Sequence, residues 1–269
     1  MKKLVLIVLI FFTSISCNHK SDDNNLYEGN KKIKLKDYNG AIINYTKAIE
    51  LKSNNSEAFN YRGYAKLELK DHRGAIEDFT KAIDLNPNYS KAYNNRGYAK
   101  DILQDFMGAI DDYTKALEIE PNSSVSYLNR GISKRKLKDF KGCIDDYTKA
   151  IDLNPNYSKA YNNRGYAKIE LKDFSGAIKD LNKAIELNLN YSEAYENRGF
   201  AKSNLEDHTG AIEDFTKAID LNPNFMEAYN NRGYDKYILN DKNGACLDWS
   251  KAGELGDRDA YDLIKQYCN

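Results

Sequence analysis

The sequence predicts an all-α protein built from one helix–turn–helix element repeated seven times, and three observations carry that prediction. Of the 16 glycines, all but Gly253 and Gly256 fall into two series with a step of 34 residues. Gly29, Gly63, Gly97, Gly131, Gly165, Gly199 and Gly233 form the first, and Gly40, Gly74, Gly108, Gly142, Gly176, Gly210 and Gly244 the second. An Asp stands three residues before every glycine of the second series, from Asp37 to Asp241, where it can cap a helix. Apolar residues then recur at helical spacing, as in Ala109, Ile110, Tyr113, Ala116 and Leu117. A fixed period of this length is the signature of a stacked array, in which no repeat buries its apolar stripe alone.

Taken in order, the chain opens with Lys2 and Lys3, an apolar run from Leu4 to Phe12, and then Thr13, Ser14, Ile15, Ser16 and Cys17. This is the order of a signal peptide over residues 1–16, and the run is too short to span a bilayer. Ile15, Ser16 and Cys17 resemble the end of a bacterial lipobox, whose cysteine is lipidated; Ser14 stands where that motif usually carries Leu. The alternative is a secreted protein cut nearby. Residues 17–25 form a polar tether, and Asp22 and Asp23 resemble the acidic export tags of surface lipoproteins.

The repeats occupy 22–55, 56–89, 90–123, 124–157, 158–191, 192–225 and 226–259. In the third, Ser90 is expected to cap the first helix and Asp105 the second. Pro87, Pro121, Pro155 and Pro223 stop the second helices, with Ser53 and Leu189 in that place elsewhere. Residues 260–269 form a capping helix with Leu263, Ile264 and Tyr267 on one face.

The composition narrows the function. Forty basic and forty acidic residues leave no net charge, which argues against a nucleic-acid binder. A mean hydropathy of −0.73 argues against a polytopic membrane protein, and 21 Tyr with 10 Phe against a disordered chain. His72 and His208 occupy equivalent turns and His19 the tether, so no nucleophile–histidine site, metal spacing or cofactor motif is expected. Cys143 replaces the repeat alanine and Cys246 the repeat isoleucine, so both read as small buried apolar residues. Cys246 and Cys268 could pair in an exported protein, a question the sequence leaves open.

A 34-residue helical pair marked by Tyr161, Gly165, Ala177, Leu181 and Ala184 resembles the tetratricopeptide repeat. The resemblance implies a right-handed superhelical solenoid without catalysis, whose first helices line a concave groove for protein or peptide partners. It places Tyr64, Asn94, Tyr98, Asn162, Tyr166, Phe200, Asn230 and Tyr234 in that groove. The fourth repeat departs with Leu128 and Ile132, flanked by Arg135 and Lys136, which would suit an apolar side chain beside an acidic one. Some family members clamp a partner's C-terminal carboxylate with Lys and Asn, but Asn94 and Tyr98 stand there, so that clamp is not expected. The Tyr ladder leaves open a glycan-handling alternative. Taken with the leader, these features suggest an envelope scaffold, an outer-membrane lipoprotein or otherwise a secreted protein.

One departure from the family recurs. Arg62, Arg96, Arg130, Arg164, Arg198 and Arg232 precede the first glycine, and Asp78, Asp112, Asp146, Asp180, Asp214 and Asp248 hold one offset in the second helix. The first repeat lacks both, carrying Glu28 and Asn44. Their joint loss suggests ion pairs within or between repeats; independent solvent-facing charges are the alternative.

Overall fold

The computed structural model describes residues 24–268, and every regular element among them is a helix. In chain order these are α1 (24–34), α2 (Tyr38–Leu51), α3 (Ser56–Glu68), α4 (His72–Leu85), α5 (Ser90–Ile102) and α6 (Phe106–Ile119). They continue with α7 (Ser124–Lys136), α8 (Phe140–Leu153), α9 (Ser158–Glu170), α10 (Phe174–Leu187) and α11 (Ser192–Ser203). The last are α12 (His208–Leu221), α13 (Met226–Ile238), α14 (Lys242–Glu254) and α15 (Asp259–Tyr267). They form two compact bodies divided after Ser133, within α7. The leader and Cys17 lie outside the described residues.

One aspartate organises each intra-repeat turn. The Asp71 carboxylate accepts from the Gly74 N–H at 3.0 Å and so caps α4, while its own N–H donates to the Lys66 carbonyl at 2.9 Å and closes α3. A Cβ on Gly74 would run into that carboxylate, so the second glycine series serves the cap. The closure needs a left-handed residue just before the Asp. That residue is Lys36, Lys70, Gln104, Lys138, Lys172, Glu206 or Asn240, all with φ between 58° and 66°. A non-glycine residue is strained there by about 1–2 kcal/mol. Lys172→Gly is therefore expected to stabilise the protein by about 0.5–1 kcal/mol after the added chain entropy is subtracted. An unchanged urea midpoint would show that the strain is relieved locally.

Ser90 is not the cap of α5. The N-cap is Tyr89, without a side-chain bond, and the Ser90 hydroxyl instead donates to the Ala116 carbonyl of α6 at 3.3 Å. Where Leu189 replaces Pro, Asn188 still holds the turn by accepting from the Asn190 N–H at 3.1 Å.

The first glycine series permits close helix pairing. A Cβ on Gly63 would lie 2.7 Å from the Phe79 ring, and one on Gly165 would lie 2.8 Å from Leu181, both within their own repeat. The same second helices also reach the following repeat: Ala177, Leu181, Ala184 and Ile185 cluster with Ala194 and Ala201. Sequence-adjacent helices pack on one another from α2 to α6 in the first body and from α8 to α15 in the second. First helices also touch the next first helix, α3 on α5, α9 on α11 and α11 on α13, so they share one face of each body.

The C-terminal body ends in a pinned cap. Cys246 of α14 and Cys268 after α15 form a disulfide, with Cα atoms 5.8 Å apart, which answers the question the sequence left open. Trp249 is almost fully buried, and its ring stands with those of Tyr237 and Tyr267 at centroid distances of 4.7–5.9 Å. Among the described residues no helix is long and apolar enough to cross a membrane.

Candidate partner-binding face

The repeated charges pair within their own repeat. Arg164 grips Asp180 with two donors, Nε to Oδ2 at 2.9 Å and Nη2 to Oδ1 at 2.7 Å, while Lys168 Nζ lies 2.7 Å from Oδ2. The third donor, Arg164 Nη1, reaches Thr148 Oγ1 of the preceding repeat at 3.0 Å. The guanidinium also lies 5.7 Å from the Tyr161 ring centroid. The same arrangement joins Arg62 to Asp78, Arg96 to Asp112, Arg198 to Asp214 and Arg232 to Asp248. These aspartates are only 3–5% exposed, so the charges fix helix register and are not available to a partner.

The first-helix face carries the groove residues, unevenly presented. Tyr64 and Asn94 line a cavity of about 400 Å³ in the N-terminal body, together with Tyr45 and Tyr61, whose rings stack at 5.8 Å. Tyr98 is half exposed. In the C-terminal body, Tyr166, Phe200 and Asn230 line a cavity of about 370 Å³. Phe200 and Tyr234 also line a neighbouring cavity of about 460 Å³.

Three expectations change. Leu128 is 2% exposed, so it is a packing residue and not an apolar anchor in the groove. Ile132 is half-buried. Arg135 lays its guanidinium 5.0 Å from the Tyr166 ring centroid, against an aromatic of the next repeat. The groove asparagines spend much of their capacity on one another: Asn95 donates to Asn60 at 3.0 Å and Asn197 to Asn162 at 3.1 Å, while Asn230 donates to Asp257 at 2.8 Å. Buried amides need partners; the next repeat supplies them for Asn60 and Asn162, and the end of its own repeat for Asn230.

Two substitutions passed over in the sequence acquire meaning. Glu196 stands at the offset of Asn60, Asn94, Asn162 and Asn230, and accepts from Asn231 at 3.1 Å. Burial, and then the nearby Glu227 charge, push it up to about 7. Asp235 replaces the repeat alanine and is fully buried, with Ser203 donating to Oδ1 at 2.7 Å and His208 Nδ1 at 2.8 Å from the same oxygen. Burial raises its carboxyl above the usual range, against the pull of Ser203 and His208. Serine, histidine and aspartate therefore meet around one carboxylate oxygen, a cluster that the histidine spacing alone does not reveal. The hydroxyl gives its proton to the carboxylate and not to the imidazole, so this is no nucleophile–base pair.

A helix-paired array with an aromatic-lined face and its recurring Arg–Asp pairs locked within the repeats defines a helical-repeat interaction scaffold. Tetratricopeptide repeat models match residues 32–55, 56–89, 90–123, 124–157, 158–191 and 192–225, and the chain belongs to that family. Its fold is an all-α helical-repeat solenoid. A tetratricopeptide repeat protein from Parabacteroides merdae is 18% identical with a TM-score of 0.68, covering 93% of this chain and 100% of its own. YrrB, described as having an unusual peptide-binding site, is 23% identical with a TM-score of 0.60, over 68% of this chain and 95% of its own. MamA is 29% identical with a TM-score of 0.56, over 61% of this chain and 96% of its own. No curated protein sequence matches the chain.

Proposed function

We propose that this protein is a lipid-anchored scaffold of the bacterial envelope that holds extended segments of protein partners against its first-helix face and catalyses no reaction. The observation that carries this reading is the pair of cavities lined by Tyr64 and Asn94 in one body and by Tyr166, Phe200 and Asn230 in the other. Aromatic walls with amide edges suit an extended backbone. The peptide-binding site described for YrrB supports the same use of the fold. The Cys246–Cys268 disulfide supports export, since such bonds persist in oxidising compartments. The glycan reading is weaker, because the stacked Tyr45 and Tyr61 rings and the mutually bonded asparagines leave less for a sugar to use.

In fractionated cells, the wild-type protein is expected in the detergent phase and Cys17→Ala in the soluble fraction. In pull-downs from envelope extracts, Tyr98→Ala and Phe200→Ala should lose partners that the wild type retains. A soluble wild-type protein whose N-terminus is not position 17 would overturn the anchor. Retention of glycans and no proteins would overturn the scaffold.

A further inference from the structure

The C-terminal cavity is unlike the N-terminal one in charge. Its lining combines apolar side chains, Ile169, Phe200 and Met226, with the carboxylates Glu170, Glu196, Glu227, Asp257 and Asp259. No Lys or Arg is among its lining residues. In the same body Arg135 is engaged with the Tyr166 ring, Arg198 and Arg232 are paired with their own aspartates, and Arg258, between Asp257 and Asp259 in the chain, is exposed and is not among the lining residues. The N-terminal cavity carries one charged group, Lys91. Among the described residues no group of three or more His, Cys, Asp or Glu is placed to hold a metal ion, so the carboxylates are spread around a cleft and do not converge on a point. An elongated cation with an aliphatic stem matches that spread better than a bare ion.

We propose that this cavity receives a lysine or arginine side chain of an extended partner segment, its methylenes lying on Phe200 and Met226 and its charged head between Glu196 and Glu227. The inference rests on the scaffold reading and gives it a partner chemistry. Glu196 is the group that gains most: partly buried beside another carboxylate, it lacks a counter-ion that the ligand supplies. Facing it are Glu193 on α11, Tyr166 and Glu170 from α9, Glu227 and Asn231 from α13, and Asp257 and Asp259 after α14. None of these is cationic, and Arg258 of that last segment is exposed and does not act on Glu196, so a bound cation lowers the pKa of Glu196 and its binding releases a proton near neutrality. Affinity then rises with pH through about 7.

The test immobilises the full chain and passes over it pools of capped nonapeptides, randomised except for a central Lys, Arg, norleucine or Glu. At about pH 8 the Lys and Arg pools are expected to be retained about tenfold better than the norleucine pool, and the preference should shrink toward about pH 5.5. Glu196→Gln and Glu227→Gln, checked for native helicity, should erase the cationic preference while leaving norleucine retention intact and flatten the pH dependence. Equal retention of the Lys and norleucine pools would overturn the inference and leave the scaffold reading standing. Retention of no pool above an albumin control would overturn both. Self-association of the wild type that Glu196→Gln abolishes would assign the cavity to a second copy, and also overturn the inference.

Discussion

Asp180→Ala should lower the free energy of unfolding by about 3–5 kcal/mol, the largest single effect expected outside the aromatic core. The substitution removes little volume, but it leaves Arg164 and Lys168 with side chains only 16% and 21% exposed and no carboxylate between them. It also frees Nη1 of Arg164 from the geometry that ties it to Thr148 in the preceding repeat. Because stability in such an array is a sum of repeat and interface terms, one broken clamp weakens two of them. Arg164→Met in the Asp180→Ala background should recover part of the loss, and the double-mutant cycle should give a coupling of about 0.5–3 kcal/mol. Urea unfolding followed by circular dichroism measures both. A loss under about 1 kcal/mol for Asp180→Ala would mean that solvent reaches the cations and the clamp is worth no more than a surface pair.

Replacing both Cys246 and Cys268 with Ser should cost about 3 kcal/mol, the entropy of closing a loop of this length in the unfolded chain. The separation is 22 residues. The loss should appear first in Trp249 fluorescence, since that ring packs on Tyr267 of the cap and on Tyr237. Cys143 offers the internal control. Burial pushes its thiol up to about 12, so it should resist alkylation in the folded protein while the disulfide is opened by reductant. Unchanged unfolding in reductant, with both thiols of the cap alkylated, would show that the aromatic cluster alone holds α15.

Much of this was legible in the sequence because it is written seven times. A glycine needed for close approach and an Asp needed as a cap recur in all seven repeats, and an Arg–Asp pair needed for register in six, at constant offsets, and recurrence separates them from drift. Legibility failed where the requirement is conformational and tolerant of many side chains. The left-handed turn residue is Lys four times, Gln, Glu or Asn otherwise, so no residue type marks it. It failed again where one repeat differs. Leu128 looked like a groove anchor because its neighbours at that offset are asparagines, yet those asparagines are themselves buried or bonded to the next repeat. Glu196 and Asp235 were visible as substitutions, but their weight lies in what surrounds them.

The order and length of the helices, the aspartate caps that start the second helix of each repeat and the residues that let paired backbones touch follow from local rules acting within about twenty residues. These the sequence determined by itself. Which side chains reach solvent on the first-helix face, which carboxylates go uncompensated and whether two cysteines meet depend on the relative placement of groups brought together by stacking. Those only the tertiary structure decided, because burial and electrostatic environment are properties of the packed neighbours and not of the residue that feels them.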